Sequence, residues 1–169
     1  NSIHPGDSIS SIFEKNTELA ILTKNGAGVG IYIGDQRGRG SNIKGNGTSE
    51  GVVPWSKLYD QTSAVVSQGS TRRGASALYL PVEHIDIEEF LNIRRPTQED
   101  NRRCRNTHIA VSISDSFMEA CKKPGKEREL LKKIYKERME TGEPYLFFKD
   151  NVNKANPECY RANNLQVST

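Results

Sequence analysis

Residues 25–34 read Asn-Gly-Ala-Gly-Val-Gly-Ile-Tyr-Ile-Gly, and this stretch decides the fold class. Asn25-Gly26 is a helix-stop signal, and Ala27 to Gly34 reads as a strand so rich in glycine that something has to approach its backbone closely, a ligand being one candidate. Upstream, Pro5-Gly6 leads to Asp7 in the place of a helix N-cap, with Ile9, Ile12, Phe13 and Ala20 at helical spacing as far as about Lys24. Helix and then strand is half of a βαβ unit. Downstream, Asp35 to Gly51 interleaves Gly38, Gly40, Gly45, Gly47 and Gly51 with Arg37, Arg39 and Lys44. That is loop chemistry with cations held beside flexible backbone amides, and phosphate binding is one use of it.

Further along, a second helix follows Pro54 with Leu58, Thr62 and Val65 on one side, and it stops at a second basic, glycine-punctuated loop, Ser67 to Gly74. Strand patterns at 75–80, 107–113 and 145–148 alternate with helix patterns at 86–93, 115–121 and 126–140. The alternation predicts an α/β architecture with largely parallel strands, in one region spanning 1–169, without internal repeat or low-complexity tract. At 169 residues the chain is long enough to bury a real core.

Composition bounds the function. Twenty-four basic against 21 acidic residues give a net charge of only +3, too little for a polyanion binder that works by bulk electrostatics. Cys104, Cys121 and Cys159 are odd in number and form no CxxC or zinc spacing, which predicts free thiols in a reducing cytoplasm. No apolar run approaches the roughly 18 residues of a bilayer span, and Asn1 to Asp7 lacks signal-peptide design, so the expectation is a soluble chain with no membrane and no direct nucleic-acid contact. The first residue is not Met and neither end reads as a disordered tail, which suggests a chain cut from a larger one.

Gly6-Asp7-Ser8-Ile9, Gly26-Ala27-Gly28-Val29-Gly30, Arg37-Gly38-Arg39-Gly40-Ser41, Gln68 to Ala75 and Thr141-Gly142-Glu143-Pro144-Tyr145 together, in this order, resemble the large, catalytic subunit of aerobic-type ribonucleotide reductases. The resemblance runs nearly end to end. It implies part of the first half of a ten-stranded α/β barrel, without the regulatory ATP-binding domain of many relatives. It also implies a share in reducing ribonucleoside diphosphates to deoxyribonucleotides, under the control of an effector nucleotide bound at a dimer interface.

Carried over residue by residue, the resemblance gives Asp7 the role of the acid that binds the effector's sugar hydroxyl, with Ser8 and Ile9 in the same pocket. A carboxylate accepts such a hydrogen bond strongly. Arg37 and Lys44 match cations on the effector triphosphate, Lys44 standing where some relatives have Arg and lacking its bidentate fork. Ala27 and Gly28 match backbone laid against the substrate. Gln68 and Arg72 match base-reading residues of the specificity loop, with Arg73 an additional cation where some relatives have glycine.

The implied ligands are a deoxynucleoside triphosphate or ATP with Mg²⁺. The radical generator, a diiron-tyrosyl small subunit or adenosylcobalamin, would be external. Partners would be the remaining segments of the subunit, a second copy meeting helices 8–24 and 54–66, and the small subunit.

Other clusters carry a plainer expectation. Arg94, Arg95, Arg102, Arg103 and Arg105 surround Glu99 and Asp100 and read as a solvated, internally paired loop. His84 beside Asp86 reads as structural hydrogen bonding, there being no second ligand at metal spacing. The family's radical cysteine, its redox pair and the Asn and Glu flanking the radical site match nothing in this sequence, and Pro157-Glu158-Cys159-Tyr160 does not resemble the radical loop. The stretch from Cys121 to Glu127 looks shorter than in relatives. Two classes of function follow: an enzyme part that works only within a complete subunit and is inactive alone, or a non-catalytic nucleotide-binding module that keeps the effector site.

Overall fold

The computed structural model describes residues 1–45, 47–67 and 73–169. In chain order the elements are β1 (Ser2–Ile3), α1 (Ile9–Lys24), β2 (Gly28–Tyr32), β3 (Asn42–Ile43), β4 (Gly47–Thr48), α2 (Val52–Val66), β5 (Ala75–Pro81), α3 (Ile87–Asn92), β6 (His108–Ile113), α4 (Asp115–Ala120), α5 (Lys126–Thr141), β7 (Tyr145–Phe148), α6 (Lys149–Lys154) and α7 (Glu158–Ala162). One sheet runs β1-β2-β5-β6-β7 with every pairing parallel, Ile31 opposite Leu78 and Leu78 opposite Ile109. Each crossover carries a helix, as parallel neighbours require. Among the described residues, antiparallel pairing is confined to the β3–β4 hairpin inside the glycine-rich loop.

Strand alternation sorts the sheet's faces. Val29, Ile31, Ile33, Leu78, Leu80, Ile109, Val111 and Ile113 are buried on one face. They form the core with Ile12 and Leu19 of α1, Tyr59 of α2, Phe90 of α3 and Ile134 of α5. Each fully buried aliphatic side chain contributes roughly 1.5–3 kcal/mol of transfer free energy, so this layer supplies most of the driving force.

The chain's own end reaches the other face: Thr169 Oγ1 donates to Ser2 Oγ at 2.7 Å. A Cβ on Gly30 would lie 2.8 Å from Thr169, so at this glycine the close neighbour is the chain itself. Around Gly28, by contrast, nothing lies within 4 Å of such a Cβ.

Two expectations about the helices change. The N-cap of α1 is Ser8, whose Oγ accepts from the Ser11 amide at 3.2 Å. Asp7 lies one residue outside, with its carboxylate drawn to Arg37 instead. The stripe Ile9, Ile12, Phe13, Ala20 also divides: Ile12 is buried with Leu19 and Thr23, whereas Ile9 and Phe13 are 69% and 50% exposed. On α2, Leu58 packs at the core's margin, Thr62 donates to Asn16 of α1 at 2.8 Å, and Val65 is 63% exposed. The inward face of α2 is the more polar set Ser56, Tyr59, Asp60 and Ser63, which hydrophobic periodicity alone does not find. Helix α2 begins at Val52, ahead of Pro54, because a proline in the first turn has no intrahelical N–H bond to lose.

Candidate functional site

A cavity of about 450 Å³ opens where the N-termini of α1 and α2 meet the loop after β2, lined by Asp7, Ser8, Ile9 and Arg37, with Thr48, Glu50 and Trp55 among the rest. Four of the five residues assigned to an effector pocket therefore border one space. Lys44 is exposed in the β3–β4 turn beside Ile43, which does line the cavity.

Arg37 holds Asp7 three ways. Its amide donates to Oδ1 at 2.9 Å, its Nε to Oδ2 at 2.6 Å, and Nη2 reaches the Asp7 carbonyl at 3.4 Å. The side chains are 36% and 37% exposed, so the ion pair contributes on the order of 1 kcal/mol or less and yields readily to a stronger anion. Each carboxylate oxygen keeps capacity for another donor, and the guanidinium keeps N–H groups for a phosphate. Two helix N-termini add partial positive charge at the same place.

The loop that carries Arg37 is anchored from the β5–α3 turn. Asp86, 4% exposed, accepts from the Arg39 amide at 2.9 and 3.2 Å and from the Val52 amide at 3.0 Å. The His84 ring bonds the Gln36 carbonyl at 3.0 Å. Gln36 in turn donates to the Tyr59 hydroxyl at 3.1 Å, and burial pushes that phenol up to about 12. The sequence reading noticed His84 and Asp86 and gave them a structural role without saying what they hold. It missed Trp55, Ser49 and Gly51 at the cavity; the signal available was the chain's single tryptophan at a helix start just after a glycine-rich loop.

The other proposed contacts lie at the opposite end of the strands. Ala27 and Gly28 open β2, and Arg73 is exposed just before β5, beside Ser63, Ala64, Ser67, Gly74 and Asn106 around a second depression. Gln68 and Arg72 lie outside the described residues. Helix α2 spans the interval between the two ends, about 22 Å for its 15 residues. Asp60, wholly buried, fastens that helix to the start of β6 by accepting from the amides of Asn106 and Thr107 at 2.7 and 2.9 Å and from Asn106 Nδ2 at 3.0 Å. These donors satisfy a carboxylate that has no cation against it among the described residues. Gly74 packs on α1, where a Cβ would lie 2.7 Å from the Thr23 carbonyl oxygen.

The arginine cluster is paired, but mostly outside itself. Arg94 meets Glu143, Arg95 meets Glu137 and Glu140 of α5, and Arg102 meets Glu89 of α3; Arg105–Asp100 is the pair internal to the loop. The loop thereby ties α3 to α5 and to the start of β7. Cys104 and Cys121 are buried, and burial pushes the Cys104 thiol up to about 12, so neither is an activated nucleophile. Cys159 is exposed on α7. No helix among the described residues is long and apolar enough to cross a membrane.

A parallel five-stranded sheet with a cavity at the paired N-termini of its first two long helices defines the class, an α/β protein with its candidate site beyond the carboxyl ends of the strands. The comparisons narrow it. The chain matches the family described as ribonucleotide reductase, barrel domain, over residues 2–127 and 122–168. It is 32% identical to the ribonucleoside-diphosphate reductase subunit alpha of Synechocystis over 89% of its own length and 26% of that protein's, and 32% identical to the large subunit of Arabidopsis thaliana over 88% and 23%. A solved structure, the class Id ribonucleotide reductase alpha subunit of Actinobacillus ureae, superposes with a TM-score of 0.86 at 36% identity, covering 99% of this chain and 30% of that one.

The chain belongs to the ribonucleotide reductase large-subunit barrel family, and it spans about a quarter of the length of the curated relatives it matches. The two matched stretches overlap at 122–127, from the turn after α4 into the first residues of α5.

Proposed function

We propose that the chain serves as the effector-binding and part of the substrate-facing region of a ribonucleoside-diphosphate reductase large subunit. The observation that carries this reading is the convergence of Asp7, Ser8, Ile9 and Arg37 on one cavity at two helix N-termini. A deoxynucleoside triphosphate or ATP would place a sugar hydroxyl on Asp7 and phosphates on Arg37, with Lys44 close by on the hairpin. Mg²⁺ would arrive with the phosphates, since among the described residues no three His, Cys, Asp or Glu side chains converge as a metal set.

The reading extends to the far end of the sheet. The open space at Gly28 suits a substrate laid against backbone. Arg73 begins the return from the segment holding Gln68 and Arg72, the proposed specificity residues. Effector occupancy would reach that segment along α2, which starts at the cavity and ends at Val66, and along β5. Reduction itself would need cysteines that this sequence does not match, from other segments of the subunit, and a radical source from a small subunit or a cobalamin. The exposed Ile9, Phe13 and Val65 on α1 and α2 suit a second copy of the chain beside the effector.

Calorimetric titration of the chain with deoxythymidine triphosphate and Mg²⁺ tests the site. Saturable binding is expected, and Arg37→Ala is expected to weaken it by about 1.5–3 kcal/mol, the loss of a charge-assisted contact. Equal affinity for both proteins would make Arg37 a mere partner of Asp7.

A further inference from the structure

His84 and Asp86 take hold of the backbone on the two sides of Arg37. His84 Nδ1 accepts the Asp86 amide proton at 3.1 Å, so Nδ1 carries no proton, and Nε2 must therefore be the donor to the Gln36 carbonyl at 3.0 Å. The Asp86 carboxylate accepts from Arg39 N, and its Oδ2 also accepts from Val52 N, the first residue of α2. Gln36 and Arg39 bracket Arg37-Gly38. The loop lies so close to this turn that a Cβ on Gly38 would come 2.0 Å from Ile85 Cγ2, and one on Gly51 would come 2.3 Å from Asp86 Oδ2.

Neither His84 nor Asp86 lines the cavity. Yet each residue of the loop and of α2 that they anchor lies within two positions of one which does: Gln36 and Arg39 about Arg37, and Val52 beside Gly51. Both also sit in the turn between β5 and α3, at the far end of the strand that begins just after Arg73.

We propose that His84 and Asp86 form a clip that sets the position of Arg37, and with it the affinity for the phosphates of a nucleoside triphosphate. They are positioning residues, acting on ligand only through Arg37 and the start of α2. The clip lets the end of β5 tune the cavity, because a shift of this turn moves the Arg37 segment and the N-terminus of α2 together. The proposal rests on the nucleotide reading of the cavity.

The experiment is a double-mutant cycle on the whole chain, titrated with deoxythymidine triphosphate and Mg²⁺. Asp86→Asn, isosteric but with one acceptor replaced by a donor that meets N–H groups, is expected to weaken binding about 10-fold or more, and His84→Ala similarly. His84→Gln, whose amide can still donate to the Gln36 carbonyl, is expected to recover affinity to within about 3-fold of the unaltered chain. In an Arg37→Ala background, Asp86→Asn is expected to change affinity less than about 2-fold, because its effect passes through the missing side chain. Full additivity with Arg37→Ala, or wild-type affinity for Asp86→Asn, overturns the clip. If Asp86→Asn fails to fold, Gly38→Ala, which pushes the loop off Ile85, takes its place in the same cycle with the same expectations.

A wild-type chain that does not bind the triphosphate overturns the nucleotide reading, and the clip is then decided on the free protein. There the Arg37 Nε–H resonance, bonded to Asp7, is expected to lose its protection from exchange in Asp86→Asn; unchanged protection overturns the clip.

Discussion

No cation among the described residues pairs with the buried Asp60 carboxylate, and its worth lies in the three N–H groups it satisfies at the turn into β6. Asp60→Ala leaves the buried Thr107 amide and the part-buried Asn106 amide unpaired and is expected to destabilise the chain by about 2–4 kcal/mol, read as a fall in the denaturant midpoint at unchanged slope. A loss under 0.5 kcal/mol would mean that water replaces the carboxylate with little penalty. Thiols give a second check at this scale. Cys159 is exposed while Cys104 and Cys121 are buried, so a maleimide reagent should label one site in the native chain and three after unfolding. Labelling of Cys104 without denaturant would show that the loop after α3 opens.

The family resemblance could assign Asp7 and Arg37 to one pocket, but not as partners of one another, since 30 positions separate them and only the fold closes that distance. The destination of His84 and Asp86 was hidden for the same reason. Their neighbours in sequence say nothing of Gln36 or Val52.

Among elements, the strands were the most legible. Those at 75–81, 108–113 and 145–148 declare themselves by short apolar runs between turn signals, and a parallel sheet follows from the helices between them. Two-residue β1, the β3–β4 hairpin and the short helices α6 and α7 carry too few residues for any period and were not foreseen. Helix faces were legible only in part, because an apolar stripe does not say which surface it serves.

That ambiguity makes α1 and α2 testable. Ile12 and Leu19 serve the chain's own core, whereas Ile9, Phe13 and Val65 stand exposed beside the cavity's helices. Phe13→Asp is therefore expected to leave the unfolding midpoint within about 0.5 kcal/mol of wild type, as a surface change does. The same change should weaken the concentration-dependent dimer we propose, which effector strengthens by mass action. Sedimentation velocity with and without deoxythymidine triphosphate distinguishes the outcomes. A strict monomer in both conditions, from a folded protein, removes the interface from the proposal.

For the molecule as a whole, cohesion comes from one apolar layer between the sheet and its helices, and that layer contains two acidic protons it cannot easily release. Burial raises the Cys104 thiol from 9.0 to about 12 and the Tyr59 phenol from 10.0 to about 12, while Tyr32 and Tyr79 move the same way by burial. A folded-state pKa above the unfolded one means that the native chain holds its proton more tightly, so the stabilisation is complete below the unfolded value and is lost as pH rises toward the folded value. The window is thus pH 9 to 12, opened by Cys104 and continued by Tyr59.

Urea midpoints are expected to be nearly level from pH 7 to 8.5 and to fall steadily above pH 9. Cys104→Ala should flatten the first part of the decline and Tyr59→Phe the part above pH 10, each after allowance for its own loss of packing or of the Gln36 bond. Because both groups lie where the α2 helix and the loop after α3 meet the core, the alkaline decline reports on the same packing that holds α2 between the cavity and the far end of the sheet. A midpoint that stays level through pH 11 would mean that these protons leave without disturbing the fold, and that α2 is held by something other than the layer around Tyr59.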